Sequence, residues 1–339
     1  MCCWYRRDRR GNDTTLSGAV QEKGGAWASA TITNGAAKSK PAIVAFGTGF
    51  LGVTHGTGDA LQSFGFSTAW SGATTFGTAG VKGAPSLAVA GTNAHVVYAA
   101  GAGANRDFAH GIHDGAGWNA ATAAVGPPLS FGTVSAGLAA ASATEVVFAE
   151  NGSDEGLYVR KFDGAWSAAA AVAGAGTVGS TIPGTPELVP IEGKFDLLLV
   201  YVEKTTRRVS FATRDAISKV WVDGDNIQMT ATTNEKLSVA RVGQSTVLVT
   251  FRGQDNKGYY AQGTIGANAV SWSGAQPVGG GAALDVDSTP ASAKGVCGDD
   301  AIVAYASGGA VKVTRLRGTS WTPELAVGIS GTRVAIATK

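Results

Sequence analysis

The chain has 339 residues, 27 Lys and Arg against 25 Asp and Glu, and a formal charge of +2, so no strong global charge directs it to nucleic acid or a membrane surface. Its 49 glycines, 15% charged residues and two methionines exclude a coiled coil and a charged disordered chain, while 44% hydrophobic residues can supply a large core. No apolar run reaches the about 18 residues of a spanning helix, so no membrane span is expected.

The first ten residues, Met1 to Arg10, carry charge with no apolar stretch behind them, and so read as no secretory signal as they stand. The expectation is therefore a soluble chain, cytoplasmic as written or secreted if a leader has been removed. Cys2, Cys3 and Cys297 cannot make a disulfide framework, and no histidine or second cysteine pair stands at zinc spacing, so neither metal nor cofactor is expected. Cys2 and Cys3 read as small strand residues facing opposite sides, with lipidation the sharper alternative. Arg6, Arg7, Arg9 and Arg10 form a local basic cluster that reads as an exposed turn, with anion or nucleic-acid contact the alternative.

Beyond that cluster the chain repeats itself. Trp27, Trp70, Trp118, Trp166, Trp221, Trp272 and Trp321 are separated by 43, 48, 48, 55, 51 and 49 residues. Before each, a β-branched run leads into a Gly/Asn/Asp turn, a second run follows, and a small-residue turn brings in the Trp, as in the segments from Val96, Val146, Val247 and Ile302. Upstream lies a further strand, for example Pro41–Ala45, Pro85–Val89, Pro186–Val189 or Leu237–Ala240. Downstream, an Ala/Ser/Val segment ends in Gly. Each unit thus reads as four short antiparallel strands, a to d, the signature of a propeller blade.

The 45 residues left over at the two ends equal one more repeat, which predicts an all-β, seven-bladed β-propeller of four-stranded antiparallel blades forming a single domain. The expected blades are 1–34 with 331–339, 41–80, 85–126, 135–174, 185–232, 237–280 and 290–328. In the first of these the C-terminal Arg333–Ala337 supplies strand a and the N-terminus the other three, with Trp4-Tyr5 standing where Val97-Tyr98 stands. Such a composite blade would close the ring and remove an open edge. Each Trp reads as cover for the seam with the neighbouring blade, or else as a platform on which a sugar stacks.

The b–c turns and d–a connections share one end of the ring, where propeller function usually sits. On or beside the turns are the candidate ligand-binding residues Asp59, Arg106, Asp107, Asp154, Glu155, Tyr158, Arg207, Asp255 and Asn256. Asn, Asp and Gly at such places are also ordinary hairpin chemistry. Asn151 to Glu155 lacks the alternating acids of a calcium loop, and Asp285 with Asp287 reads as a solvated loop. His110 and His113, three apart in a strand, face opposite sides and cannot share a metal; with His55 and His95 they read as surface or turn residues. No Gly-x-Ser-x-Gly elbow, Walker loop, dinucleotide fingerprint or HExxH motif occurs, so no catalytic residue is assigned.

The units Val146–Gly174 and Val96–Gly126 resemble the repeats of PLL-type bacterial lectins: a "v-v-F-a" strand, a turn with Asp and Gly, a Leu, then Trp and a Gly-terminated strand. That resemblance implies a seven-bladed ring with sugar pockets between blades. The turns His113–Trp118 and Phe162–Trp166 resemble, more loosely, the Asp-box of sialidase-type propellers, in which Arg160, Arg207, Arg208, Arg241 and Arg252 would be the arginines from which a carboxylate clamp is drawn. Three functions follow. The first is a non-catalytic, lectin-like propeller binding glycans; the second is a sialidase-like glycoside hydrolase with paired carboxylates at the channel mouth; the third is a scaffold that docks protein. Residues recurring between blades would favour the lectin, a lone acid pair in a deep channel the hydrolase, and an exposed apolar patch the scaffold.

Overall fold

The strand Phe195–Val202 shows how sequence becomes architecture. It is hydrophobic at almost every position, and its alternate side chains go to different neighbours: Leu197, Leu199 and Tyr201 to one adjoining sheet, Leu198, Val200 and Val202 to the other. A strand buried on both faces needs a continuous apolar run, not an alternating one. The other b strands read the same way.

The computed structural model describes residues 15–22, 25–77, 80–101, 107–119, 123–124, 137–151, 156–172, 186–203, 205–227, 232–233 and 235–339. These form antiparallel sheets arranged radially as a β-propeller. Blade 1 is Ala42–Phe46, Gly49–His55, Leu61–Phe66 and Thr74–Phe76; blade 2 is Ser86–Ala90, Asn93–Ala100, Asp107–His113 and Ala123–Ala124; blade 3 is Gly137–Ala140, Val146–Asn151, Leu157–Phe162 and Ala170–Ala171. Blade 4 is Glu187–Pro190, Phe195–Val202, Val209–Asp215 and Trp221–Asn226. Blade 5 is Ser238–Arg241, Thr246–Arg252, Gly258–Ile265 and Val270–Trp272, with Gln276–Pro277 also pairing its third strand. Blade 6 is Ala291–Lys294, Ala301–Ser307, Ala310–Arg317 and Ser320–Trp321, with Leu325–Ser330 likewise added.

The expected count of seven is corrected to six: among the described residues six sheets have four or five strands, and the remaining pair, Thr15–Gln21 with Trp27–Ala36, makes a two-stranded sheet. Equating 45 leftover residues with one repeat assumed that length guarantees four strands. Instead one hairpin spans most of residues 15–36, its second strand ten residues long, twice the length expected for a blade strand. This sheet stands between blades 6 and 1. Val334 and Ile336 pack with its Ala19 and with blade 6, while Ala337 meets Val20 and Phe50. Residues 1–14, on which Trp4-Tyr5, the two cysteines and the arginine cluster fall, lie outside the described residues.

The repeat tryptophans from Trp70 onward each cover a seam. The Trp118 ring stacks on Phe76 of the preceding blade with centroids 4.3 Å apart, and Trp166 meets His110 at 5.1 Å, Trp272 meets Phe211 at 5.5 Å and Trp321 meets Tyr260 at 5.0 Å. Trp221 is buried in the core between blades 3 and 4. Trp70 seals the seam with the two-stranded sheet, lying so close to Gly18 that a Cβ there would come within 2.3 Å of the indole. The indole nitrogens of Trp70, Trp118, Trp272 and Trp321 are buried and meet no acceptor among the described residues. These faces are spent on packing.

Candidate ligand-binding site

Three of the sequence-selected turn residues share a backbone role. Asp59, Arg207 and Asn256 have φ of 53°, 59° and 65°, in the left-handed region that L-residues seldom adopt, and Gly309 occupies it with φ 79°. In each case the carbonyl accepts from the connection that follows: Asp59 from the amides of Gly80 and Val81, Arg207 from Thr233, Asn256 from Val286 and Gly309 from Gly331. The turn therefore latches the next connection.

Side chains on this face are engaged in the same way. Asp59 is shared by Lys38 at 2.9 Å, His55 at 3.2 Å and Lys82 at 3.4 Å; Lys38 foremost, then His55, holds its carboxyl well below the usual range. Asp255 accepts from the Tyr259 hydroxyl at 2.7 Å, and the neighbouring Lys257 pairs with Asp285, also at 2.7 Å. Tyr158 is half-buried on blade 3, opposite Glu150 in register. Asp107 begins a strand of blade 2, whereas Arg106, Asp154 and Glu155 lie outside the described residues. The described ones among these residues belong to different blades, Asp59 to blade 1, Asp107 to blade 2, Tyr158 to blade 3, Arg207 to blade 4 and Asp255 with Asn256 to blade 5.

The arginines are likewise dispersed. Arg160 pairs with Glu150 inside blade 3, Arg241 with Glu192, and Arg252 with Glu235, whose second oxygen accepts from the Thr289 amide at 3.1 Å. No three-arginine clamp is assembled among the described residues. On the ring axis Glu187 stands with Lys40 and Lys236 in place of two facing carboxylates. Among the described residues the large apolar side chains left exposed are Ile217, Val220 and Val222 on one hairpin of blade 4, with Leu325 apart from them.

Surface histidines were expected, and this is corrected by the seam between blades 2 and 3, where His95 and His110 are buried; His55 is buried too, and His113 lies edge-on to Trp118. Sequence treated His110 against His113 within one strand, but its partner comes from the adjacent strand. Trp166 Nε1–H donates to His110 Nδ1 at 3.3 Å, so the proton of a neutral His110 is on Nε2, from which it donates to His95 Nδ1 at 3.0 Å. Burial, then the neighbouring His95, pushes the His110 pKa down to about 3. The unfolded value lies near 6.5, so below that pH the unfolded chain binds the extra proton. Stability is then full above about 6.5 and falls by about 1.4 kcal/mol per pH unit for each histidine held neutral, down to the folded pKa. We expect the melting temperature to decline between pH 6.5 and about 4, and His110→Gln, which keeps one acceptor and one donor, to flatten that decline. Parallel profiles would remove the histidine pair as the cause.

The opposite end of the ring carries an open cleft of about 730 Å³, walled by the a–b and c–d turns of blades 1 and 2. Phe46 and Phe66 line it with aromatic rings, and Thr48, Ser67, Ser71 and Thr92 bring hydroxyl-bearing side chains. Phe46 is held edge-on by His113 at 5.3 Å, and Phe66 by Trp70 at 5.2 Å. Gly47 and Gly91, with φ of 55° and 59°, set the two a–b turns, and Asp114 Oδ1 accepts from the amides of Ala116 and Gly117, which leaves Oδ2 toward solvent. Sequence reasoning passed over these residues; the recurring Gly-Thr at positions 47–48 and 91–92 was the available signal.

No protein-family profile matches the chain, and neither does any curated protein. Solved structures do. The BP39L lectin from Burkholderia pseudomallei superposes with a TM-score of 0.74 at 14% identity, covering 96% of this chain and 98% of its own. The fucose-specific lectin from Aleuria aurantia gives 0.60 at 14% identity, covering 86% and 96%. A further structure of the Aleuria aurantia lectin, described as a six-bladed β-propeller with a novel fucose recognition mode, gives 0.54 at 15% identity, covering 82% and 91%. At such identities the likeness is one of fold: the chain is a β-propeller of the architecture these lectins have.

Proposed function

We propose that the protein is a non-catalytic carbohydrate-binding propeller that takes a neutral sugar in the cleft between blades 1 and 2. The cleft carries this reading: at about 730 Å³ it suits one or two sugar rings, and it combines aromatic rings with four hydroxyl-bearing side chains. A pyranose has an apolar face for the first and hydroxyls for the second. Its walls are tight hairpin turns, so little conformational freedom is lost on binding. The likeness to lectin propellers over most of the chain supports the reading and makes an α-fucoside the natural first probe.

The test is a glycan array with fucosylated, methylated and sialylated glycans, run on the wild type and on Thr48→Trp. Thr48 is exposed on a turn, so an indole there fills the cleft without touching the core. Binding to one sugar class is expected, with at least about a tenfold loss in the variant at unchanged melting temperature, equivalent to about 1.4 kcal/mol. Silence across the array, or undiminished binding by the variant, would overturn the assignment.

A further inference from the structure

The first strands of all six blades converge on an axial cavity of about 210 Å³, completed by Ala335 and Ile336. Its chemistry differs from that of the apolar seams. Lys40 precedes Pro41 at the start of blade 1, Lys236 stands at the matching place before Leu237 in blade 5, and Arg333 stands there before Val334. Lys40, Lys236 and Glu187 all line the cavity, which brings their charges together within the ring while each stays half-buried.

Among the described residues neither lysine ammonium forms a hydrogen bond or ion pair. Burial lowers the pKa of both, to about 8 for Lys236, and raises that of Glu187; Lys236 is further repelled by Lys40 and Arg333. Within the cavity Glu187 is one carboxylate against two lysines. Glu235, the other nearby acid, is already taken by Arg252 and Thr289. Desolvated cations without a bonded partner are costly, and a surplus of them in one cavity is costlier still. An anion would relieve both. Beside the lysines the wall offers Ser86, Ser238 and Ser292, and the hydroxyls of the last two lie 3.4 Å apart.

We propose that the axial cavity is a binding site for one small oxyanion, a phosphate or a carboxylate, held by Lys40 and Lys236 with the serine hydroxyls as secondary donors. Its volume corresponds to about seven waters at ~30 Å³ each, room for a tetrahedral anion with part of its hydration and too little for an oligosaccharide. The site shares no residue with the cleft, so the two assignments stand or fall separately.

Thermal melts and calorimetry with inorganic phosphate, with glucuronate as a carboxylate arm and sodium chloride at matched ionic strength as control, test it. The wild type should gain several degrees, saturably, with one anion bound per chain; a response to phosphate alone or to glucuronate alone identifies which oxyanion chemistry is preferred. Lys40→Met and Lys236→Met should lose that response, and without anion each should melt at or above the wild type, because a desolvated charge is gone. Lys236→Arg keeps the charge and should retain the response. Stabilisation no greater than by chloride, or undiminished in the Lys40→Met/Lys236→Met double variant, would overturn the site.

Discussion

Removing residues 332–339 is expected to lower the melting temperature by about 10 °C or more. Val334 is 1% exposed and Ile336 9%, and both enter the core shared by blade 6 and the strand Thr15–Gln21; Ala337 bridges to Phe50 of blade 1. Burying a Val or Ile side chain contributes about 1.5–3 kcal/mol, so these two with the flanking alanines supply on the order of 5 kcal/mol. Two polar ties go as well: Arg333 to the Lys38 carbonyl at 2.8 Å and Lys339 to the Gly47 carbonyl at 2.7 Å. The first reaches the connection into blade 1 and the second its a–b turn, so the segment joins elements almost 300 residues apart. A truncated chain that melted like the full one would show that the ring does not depend on this closure.

Arg160→Met should cost about 3–5 kcal/mol, measured by urea unfolding at pH 7. The Arg160 Nε lies 2.7 Å from Glu150 Oε1, and both side chains are 2% exposed. Burial already pushes the Glu150 carboxyl above its usual range, against the pull of Arg160. Without the guanidinium, that carboxylate is left desolvated and uncompensated. Its folded pKa then exceeds the unfolded value by more than before, so the folded state takes up the extra proton and the penalty shrinks as pH falls toward 5. The double variant Glu150→Leu/Arg160→Met should recover most of the loss, since it removes both charges and leaves apolar volume. A single variant as stable as the wild type would mean that the pair is not buried in solution.

The all-β propeller was legible because its signals are local and repeated. Seven spaced tryptophans mark the seams, and two-sided burial writes itself into continuous runs such as Phe195–Val202. The blade count was not, because counting residues between markers cannot distinguish four short strands from the long hairpin of Thr15–Ala36. Asp59, Arg207 and Asn256 drew attention for side-chain chemistry, while the structure uses their backbone; a left-handed turn selects the same residue types that a polar site would. Lys40 and Lys236 escaped notice since nearly 200 residues separate them, and only the ring brings the starts of their strands to one axis. The cleft between blades 1 and 2 was hidden for the opposite reason: Gly-Thr turns and stray phenylalanines are too common to stand out singly.

The latch between each left-handed turn and the connection after it bears on how the ring could be re-engineered. A sheet excised at its strand ends would leave behind the amides that its turn carbonyl accepts, Val286 for blade 5 and Gly331 for blade 6, and would arrive elsewhere with that acceptor unmatched. Transplantable modules should therefore be cut one connection late, each carrying the peptide that leads into its successor. Circular permutants opened inside such a connection would sever a latch, whereas new termini placed in an a–b turn, such as Gly243–Ser245, would spare them all.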